Sequence, residues 1–284
     1  MSFIKALAKR QKDNNPTVVT DQLVKFLGSV EDNYAKDGKF HVSSLYYMCP
    51  RCEVYKQVLP SDITPPEKLD VITKAKFDIG HALHGWYQNR YLGPMCVLAG
   101  KWICLLCGNK VGSDSEFVLR PQVCPKCLKS GDWEYDECLV SSPELNIAGK
   151  CDGVILSNGE KYVLDMKTSD PTLFERMKTP WPSNIYQVQV YMWLLGIKKG
   201  LLLYIDKSAN GSVPVKEFEV EYSADTINDV KGKITAFNLA MKTHTLPDCC
   251  CRKNSGFKIK CSEIEGVKAV TSVIEKWKGE SAHG

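Results

Sequence analysis

Tyr162-Val163-Leu164-Asp165-Met166-Lys167 is the stretch on which the reading of this chain turns. Its branched and apolar residues predict a strand. The two-residue repeat of a strand sets Asp165 and Lys167 on one face while Leu164 and Met166 point to the other. A carboxylate and an amine thereby become neighbours. Upstream, residues 145–156 include Gly149-Lys150-Cys151-Asp152-Gly153-Val154 and have the same texture, and Ser157-Asn158-Gly159-Glu160 separates the two runs as a turn would. The pattern predicts a hairpin of 145–156 with 161–167, whose pairing brings Asp152 to the same end of the sheet as Asp165. Two carboxylates suit a hard divalent cation, magnesium or manganese, which takes oxygen ligands and keeps several waters. Such an ion polarises a phosphate and lowers the pKa of a bound water, with Lys167 orienting that water or stabilising developing charge. An isolated D-x-K is most often an exposed ion pair, so its surroundings decide.

Downstream, residues 184–195 predict a helix, and Gly200 to Asp206 (GLLLYID) is a nearly continuous apolar run, as expected of a buried central strand. Residues 218–222 predict an edge strand and 225–243 a further amphipathic helix. Upstream, Phe77 to Leu92 (FDIGHALHGWYQNRYL) lacks proline and repeats near the helical period, and the stretch to about Asn33 reads as two short helices. The class is α/β: a central mixed sheet flanked by helices. Along it run Gly80-x-x-x-His84, Asp152, Asp165-Met166-Lys167 and Gln187-x-x-x-Tyr191, in that order.

In that order the chain resembles the RecB-like branch of the PD-(D/E)XK nuclease superfamily, which includes the CRISPR-associated exonucleases and the nuclease domains of helicase-nucleases. The likeness spans residues 43–261 and rests on matched site residues. It implies a restriction-endonuclease-like core in which magnesium or manganese is bound by His84, Asp152, Asp165 and the backbone carbonyl of Met166. Lys167 takes the catalytic lysine role, and Gln187 and Tyr191, one helical turn apart, position the lysine or the DNA backbone. Helix packing is the alternative for these last two, Tyr191 above all. His81 competes with His84 from nearly the same helical face, and the G-x-x-x-H spacing favours His84. The resemblance implies a DNA exonuclease acting on single strands or DNA ends in recombination, repair or replication. A structure-specific endonuclease and a catalytically silent, metal-stabilised DNA-binding or assembly protein are the alternatives. DNA is the expected partner, with a helicase or recombination protein beside it.

Of the thirteen cysteines, ten fall into two systems. Cys104-x-x-Cys107 and Cys124-x-x-Cys127 have the spacing of a four-cysteine zinc ribbon, a closed tetrahedral site that is structural, with free structural cysteines as the alternative. The neighbouring Lys101, Lys110, Arg120, Lys126 and Lys129 either touch DNA phosphates or form a solvated basic face. The second system is Cys49 with Cys249, Cys250, Cys251 and Cys261. Several RecB-like nucleases hold a [4Fe-4S] cluster with one cysteine before the core and three after it, and this arrangement is similar. Four of these five are the expected ligands. Four thiolates also suit zinc. The family's usual C-x2-C with a nearby third cysteine is here three consecutive cysteines and a longer gap to Cys261. Cys52, which forms C-x2-C with Cys49, is a candidate to replace a distal ligand, and some of these residues could equally be buried thiols.

A formal charge of +4 permits contact with a polyanion without identifying one, while 44% hydrophobic and 25% charged residues are ordinary for a globular protein. The absence of a membrane-spanning run or secretory signal gives an expectation of an intracellular protein, cytoplasmic or nucleoid-associated, or virus-encoded and acting in host cytoplasm, with no membrane partner. The expected organisation is an N-terminal helical part with the first cluster cysteine (1–100), an inserted zinc ribbon (101–138), and the nuclease core with the cluster-binding C-terminal segment (139–284).

Overall fold

The computed structural model describes residues 19–29, 38–60, 70–208, 214–251, 261–265 and 268–279. The chain divides into two compact units, Met1–Asp37 with Glu67–Leu83, and Gly38–Pro66 with His84–Gly284. Of the N-terminal helices expected from the sequence, the described residues include α1 (Thr20–Ser29). Helix α2 (Pro50–Val58), in the second unit, opens with proline at its first position, where a missing N–H costs nothing. Helix α3 (Val71–Trp86) begins six residues earlier than the apolar period at Phe77 suggests. The reason is a cap: the Asp70 carboxylate accepts the N–H groups of Ile72 and Thr73, both at 2.9 Å. After Trp86 the helix widens into a π-type turn over Tyr87–Leu92.

The strands, all in the second unit, are β1 (Phe40–His41), β2 (Leu98–Cys104), β3 (Lys110–Val111), β4 (Val118–Leu119), β5 (Trp133–Asp136), β6 (Cys138–Ser142), β7 (Ile147–Cys151), β8 (Gly153–Ser157), β9 (Glu160–Ser169), β10 (Lys199–Asp206) and β11 (Val215–Glu221). They form a small sheet, β1-β7-β6, and a large one ordered β11-β10-β9-β8-β2, with β3, β4 and β5 paired to β2. The large sheet is mixed: β9 and β10 are parallel, β10 and β11 antiparallel. The parallel pair needs a crossover, supplied by α4 (Pro171–Arg176) and α5 (Pro182–Leu195). β10 lies between β9 and β11 and is buried along nearly its whole length, which accounts for its unbroken apolar sequence. Helix α6 (Ala224–Thr243) is capped by the Ser223 hydroxyl, and α7 (Cys261–Glu265) and α8 (Lys268–Gly279) follow. No described helix is long and apolar enough to cross a membrane.

The two faces of the large sheet bury different clusters. Val163, Leu202 and Tyr204 pack with Val188 and Met192 of α5 and Ile234 of α6, while Leu164, Met166, Leu203 and Ile205 pack with Trp102 and Tyr135. Strand β2 joins the large sheet to the cysteine-bearing segment: Leu98 and Ala99 pair with β8, and the same strand runs on through Trp102 to Cys104. Gly100 lets Tyr135 lie across it, since a Cβ there would stand 2.2 Å from the tyrosine oxygen and 2.6 Å from its ring. Gly100→Ala should therefore cost about 1–3 kcal/mol, measured as a lower urea midpoint with unchanged slope.

The single strand expected over 145–156 is corrected to two. β7 ends at Cys151 and pairs with β6 and β1, whereas β8 starts at Gly153 and pairs with β9 and β2. The chain thus changes sheets at Asp152. Sterics at Gly153 permit it: a Cβ there would fall 2.3 Å from Leu98 Cδ1. The hairpin proper is β8–β9, turned by Asn158 (φ 51°) and Gly159 (φ 78°), the two left-handed residues of a tight hairpin turn.

Candidate metal and active site

The ladder between β8 and β9 stops at Gly153 and Leu164, but β9 continues beside β10 as far as Ser169. From Asp165 onward one side of β9 therefore lacks a neighbouring strand, and Asp152 stands there in its place. Asp152 Oδ2 accepts the Met166 N–H at 2.5 Å. Because the N–H and C=O of one strand residue share a direction, the Met166 carbonyl faces that same side. His84 Nδ1, from the end of α3, lies 3.2 Å from Asp152 Oδ1. One turn on, Gln88 Nε2 donates to the Asp152 carbonyl at 2.9 Å.

Asp165 is 2% exposed. Lys167 Nζ donates to its Oδ1 at 3.1 Å and lies 2.9 Å from Oδ2, yet Oδ2, itself buried, accepts no hydrogen bond. Lys167 Nζ also donates to Gln187 Oε1 at 3.0 Å, and Gln187 Nε2 donates to the Tyr191 hydroxyl at 3.4 Å. Tyr191 is buried over Gly149, where a Cβ would come within 3.0 Å of its ring. The alternation expected of β9 puts Asp165 and Lys167 on the face covered by α5, in register with Leu202 and Tyr204. His81, the competing ligand, lies on α3 within the first unit and is exposed.

Burial pushes the Asp165 carboxyl up to about 6, against the pull of Lys167 and with the charge of Asp152 adding to the rise. For Asp152 burial acts upward too, but the hydrogen bond and charge of His84 prevail and hold it below the ordinary carboxylate value. Burial works against the charged forms of His84 and Lys167, and their carboxylate neighbours nevertheless raise both. Both Asp165 oxygens lie within 3.1 Å of the Lys167 ammonium, which offsets the cost of burying the carboxylate. Carboxylates, an imidazole and a carbonyl are donors of the kind a divalent cation takes, but His84, Asp152 and Asp165 do not converge within 4.8 Å as each cysteine group does.

Glu137, between β5 and β6, is a neighbour that pattern reading missed, since its number falls in the turn-rich cysteine segment. Its Oε1 is 3.4 Å from Gln88 Nε2. Burial, reinforced by the charge of Asp152, raises its carboxyl.

Each cysteine system forms a group able to hold a metal ion. The sulfur atoms of Cys104, Cys107, Cys124 and Cys127 all lie within 4.8 Å of one another. Both pairs close as knuckles: Gly108 N donates to Cys104 O at 2.8 Å and Leu128 N to Cys124 O at 2.9 Å. The residue after each second cysteine is left-handed, Gly108 at φ 69° and Leu128 at φ 57°. Backbone N–H groups of Cys127 and Lys126 hold the Cys124 thiol down at about 6, favouring the thiolate that binds metal. Of the basic residues nearby, Lys101 pairs with Asp114 and Asp136, Lys110 with Asp136, and Arg120 with Asp132.

The second group consists of Cys49, Cys52, Cys251 and Cys261, again within 4.8 Å. Cys52 stands 3.1 Å from Cys261 and 3.3 Å from Cys251, sulfur to sulfur. Cys249 and Cys250 are exposed and outside this group, although Cys250 N donates to Cys49 Sγ at 3.4 Å. Helical spacing explains the exchange: Cys49 caps α2 and Cys52 lies in its first turn, so both thiols sit at one helix end. Arg51 and Tyr55 of the same helix secure the C-terminal segment, Arg51 Nε donating to Pro247 O at 2.6 Å and Tyr55 to Glu265 at 2.8 Å.

No family model and no curated protein matches this chain. Among solved structures it is similar to SSO0001, at 18% identity and a TM-score of 0.35 over 77% of this chain and 82% of that one. An alkaline exonuclease from Laribacter hongkongensis matches at 14% identity and a TM-score of 0.46, over 80% and 94%. A phage related exonuclease from Haemophilus somnus 129PT matches at 12% identity and a TM-score of 0.31, over 69% and 90%.

Proposed function

We propose that this chain is a metal-dependent DNA nuclease of the PD-(D/E)XK type, an exonuclease that hydrolyses phosphodiester bonds in single-stranded DNA or at DNA ends during recombination, repair or replication. The observation that carries this reading is the buried Asp165 carboxylate ion-paired with a lysine that Gln187 also holds, on the strand whose Met166 N–H is taken by Asp152. His84, Asp152, Asp165 and the Met166 carbonyl would hold Mg2+ or Mn2+. When bound, the ion supplies polarisation of the phosphate and acidification of a water. Lys167 stays protonated because Asp165 and Asp152 outweigh its burial, so its role is to orient the attacking water and meet negative charge developing on phosphate oxygens. Gln187 fixes the ammonium and Tyr191 fixes Gln187.

Cys104, Cys107, Cys124 and Cys127 would close a tetrahedral zinc site with no open position, a structural role. Cys49, Cys52, Cys251 and Cys261 would hold a [4Fe-4S] cluster, with zinc the other ion that four thiolates accept.

The test is degradation of end-labelled linear single-stranded and duplex DNA and of circular single strands, with Mn2+ or Mg2+ and with chelator. Metal-dependent release of nucleotides from linear DNA with circles spared is the expected result. Cleavage of circles would make the enzyme an endonuclease, and metal-loaded protein that binds DNA without cutting it would overturn the nuclease reading.

A further inference from the structure

We infer that Glu137 is a positioning residue of the proposed cation site, adding negative charge beside Asp152 and fixing the Asp152 main chain through Gln88. The inference rests on the nuclease reading of that site. Its geometric basis is Gln88, whose amide nitrogen reaches both residues. The last pair of the β6–β7 ladder is Cys138 with Cys151, and Glu137 and Asp152 stand one residue beyond it, each in the one-residue link where its strand has ended.

A second buried carboxylate near Asp152 is unfavourable unless something compensates. Gln88 compensates in part. Its amide nitrogen is placed between the Asp152 carbonyl at 2.9 Å and Glu137 Oε1 at 3.4 Å, so one donor ties the acid to the main chain of its neighbour. His84 compensates on the other flank, 3.2 Å from Asp152 Oδ1. Asp152 is consequently held from three directions: Met166 N–H and His84 at its side-chain oxygens, and Gln88 at its carbonyl. Glu137 secures the third. A divalent ion that keeps its waters feels a carboxylate beyond its direct ligands, and outer partners of this kind set both affinity and ligand orientation.

The experiment uses the full chain and Mn2+ as the probe, titrated by electron paramagnetic resonance of the free ion, with cleavage of labelled DNA measured in parallel. Glu137→Gln keeps an oxygen acceptor for Gln88 and removes only the charge. It should bind Mn2+ about tenfold more weakly and lower kcat at limiting metal, with the KM for DNA and the metal-free melting temperature unchanged. Glu137→Asp, which keeps the charge, should recover most of the affinity. Wild-type Mn2+ affinity in a folded Glu137→Gln protein would overturn the inference. Asp165→Asn in the same titration separates the two failures: loss of Mn2+ binding there with none in Glu137→Gln rejects the role of Glu137 alone, whereas undiminished binding in both rejects the site itself.

Discussion

Asp165→Asn should leave DNA binding largely intact and reduce cleavage by on the order of 10³-fold or more, comparable to or greater than the loss of a single preorganised charge-stabilising group. The amide matches the carboxylate in shape, so the loss isolates charge. It takes from a cation its buried oxygen ligand and takes from Lys167 the partner that keeps it protonated. Steady-state cleavage of end-labelled DNA alongside a filter-binding assay checks both halves. Cleavage within tenfold of wild type by pure protein would remove Asp165 from the active site.

The same substitution has a stability signature. In metal-free protein, burial holds the Asp165 carboxyl at about 6, well above the ordinary value near 3.8. Between those two values the folded chain keeps a proton that the unfolded chain has released. This contribution to stability is thus fully present below about pH 4 and is lost as pH rises through about 6, by on the order of 3 kcal/mol at most. Asp165→Asn should flatten that slope, and the difference between variant and wild type in metal-free urea unfolding at pH 4.5 and pH 7 isolates it from the cysteine sites. Added Mn2+ should reverse the wild-type trend, because it stabilises the ionised form that protons compete against.

Cys104→Ser should be the most damaging change to the fold. Structural zinc in small domains contributes about 10–16 kcal/mol of apparent binding energy, as much as or more than the whole stability of a typical domain, about 5–15 kcal/mol. Cys104 is fully buried at the end of β2, two residues after Trp102. Release of the ion would fray β2 and uncover the face on which Trp102 covers Leu164 and Met166. The expected result is protein with one zinc fewer per chain and a strong tendency to aggregate, measured by metal analysis and light scattering. Cys96→Ser, at an exposed cysteine outside both groups, should change neither. Full zinc content and an unchanged melting temperature in Cys104→Ser would reject the structural role.

How much of this the sequence discloses depends on how local the cause is. β9, α5 and β10 are legible because period and burial coincide along each of them. The break at Asp152 is not, since Cys151-Asp152-Gly153 continues a plausible strand pattern and the need for glycine comes from Leu98, more than fifty residues away. The early start of α3 was hidden because its first turn depends on a polar cap at Asp70 rather than on apolar spacing. His84 meets Asp152, and Asp165, Lys167, Gln187 and Tyr191 form a second chain of contacts, the two joined by the Met166 N–H; the order of these residues along the sequence is their one legible mark. Glu137 carries no such mark. Three consecutive cysteines point to Cys249 and Cys250, whereas the sulfurs that converge are those of Cys49, Cys52, Cys251 and Cys261, the first two set together by local helical spacing.

The change of sheets at Asp152 makes that residue a rivet between two plates. Its main chain belongs to the junction of β7 and β8 and its carboxylate reaches β9, while Val140 and Ile147 of the small sheet share one core with Val163 and Leu202 of the large one. An ion clamped by Asp152 and Asp165 would fasten the plates to each other, so the affinity of the site becomes a gauge of how well they are aligned. Anything that shears the small sheet would loosen the grip on the ion before it disturbed a single ligand directly.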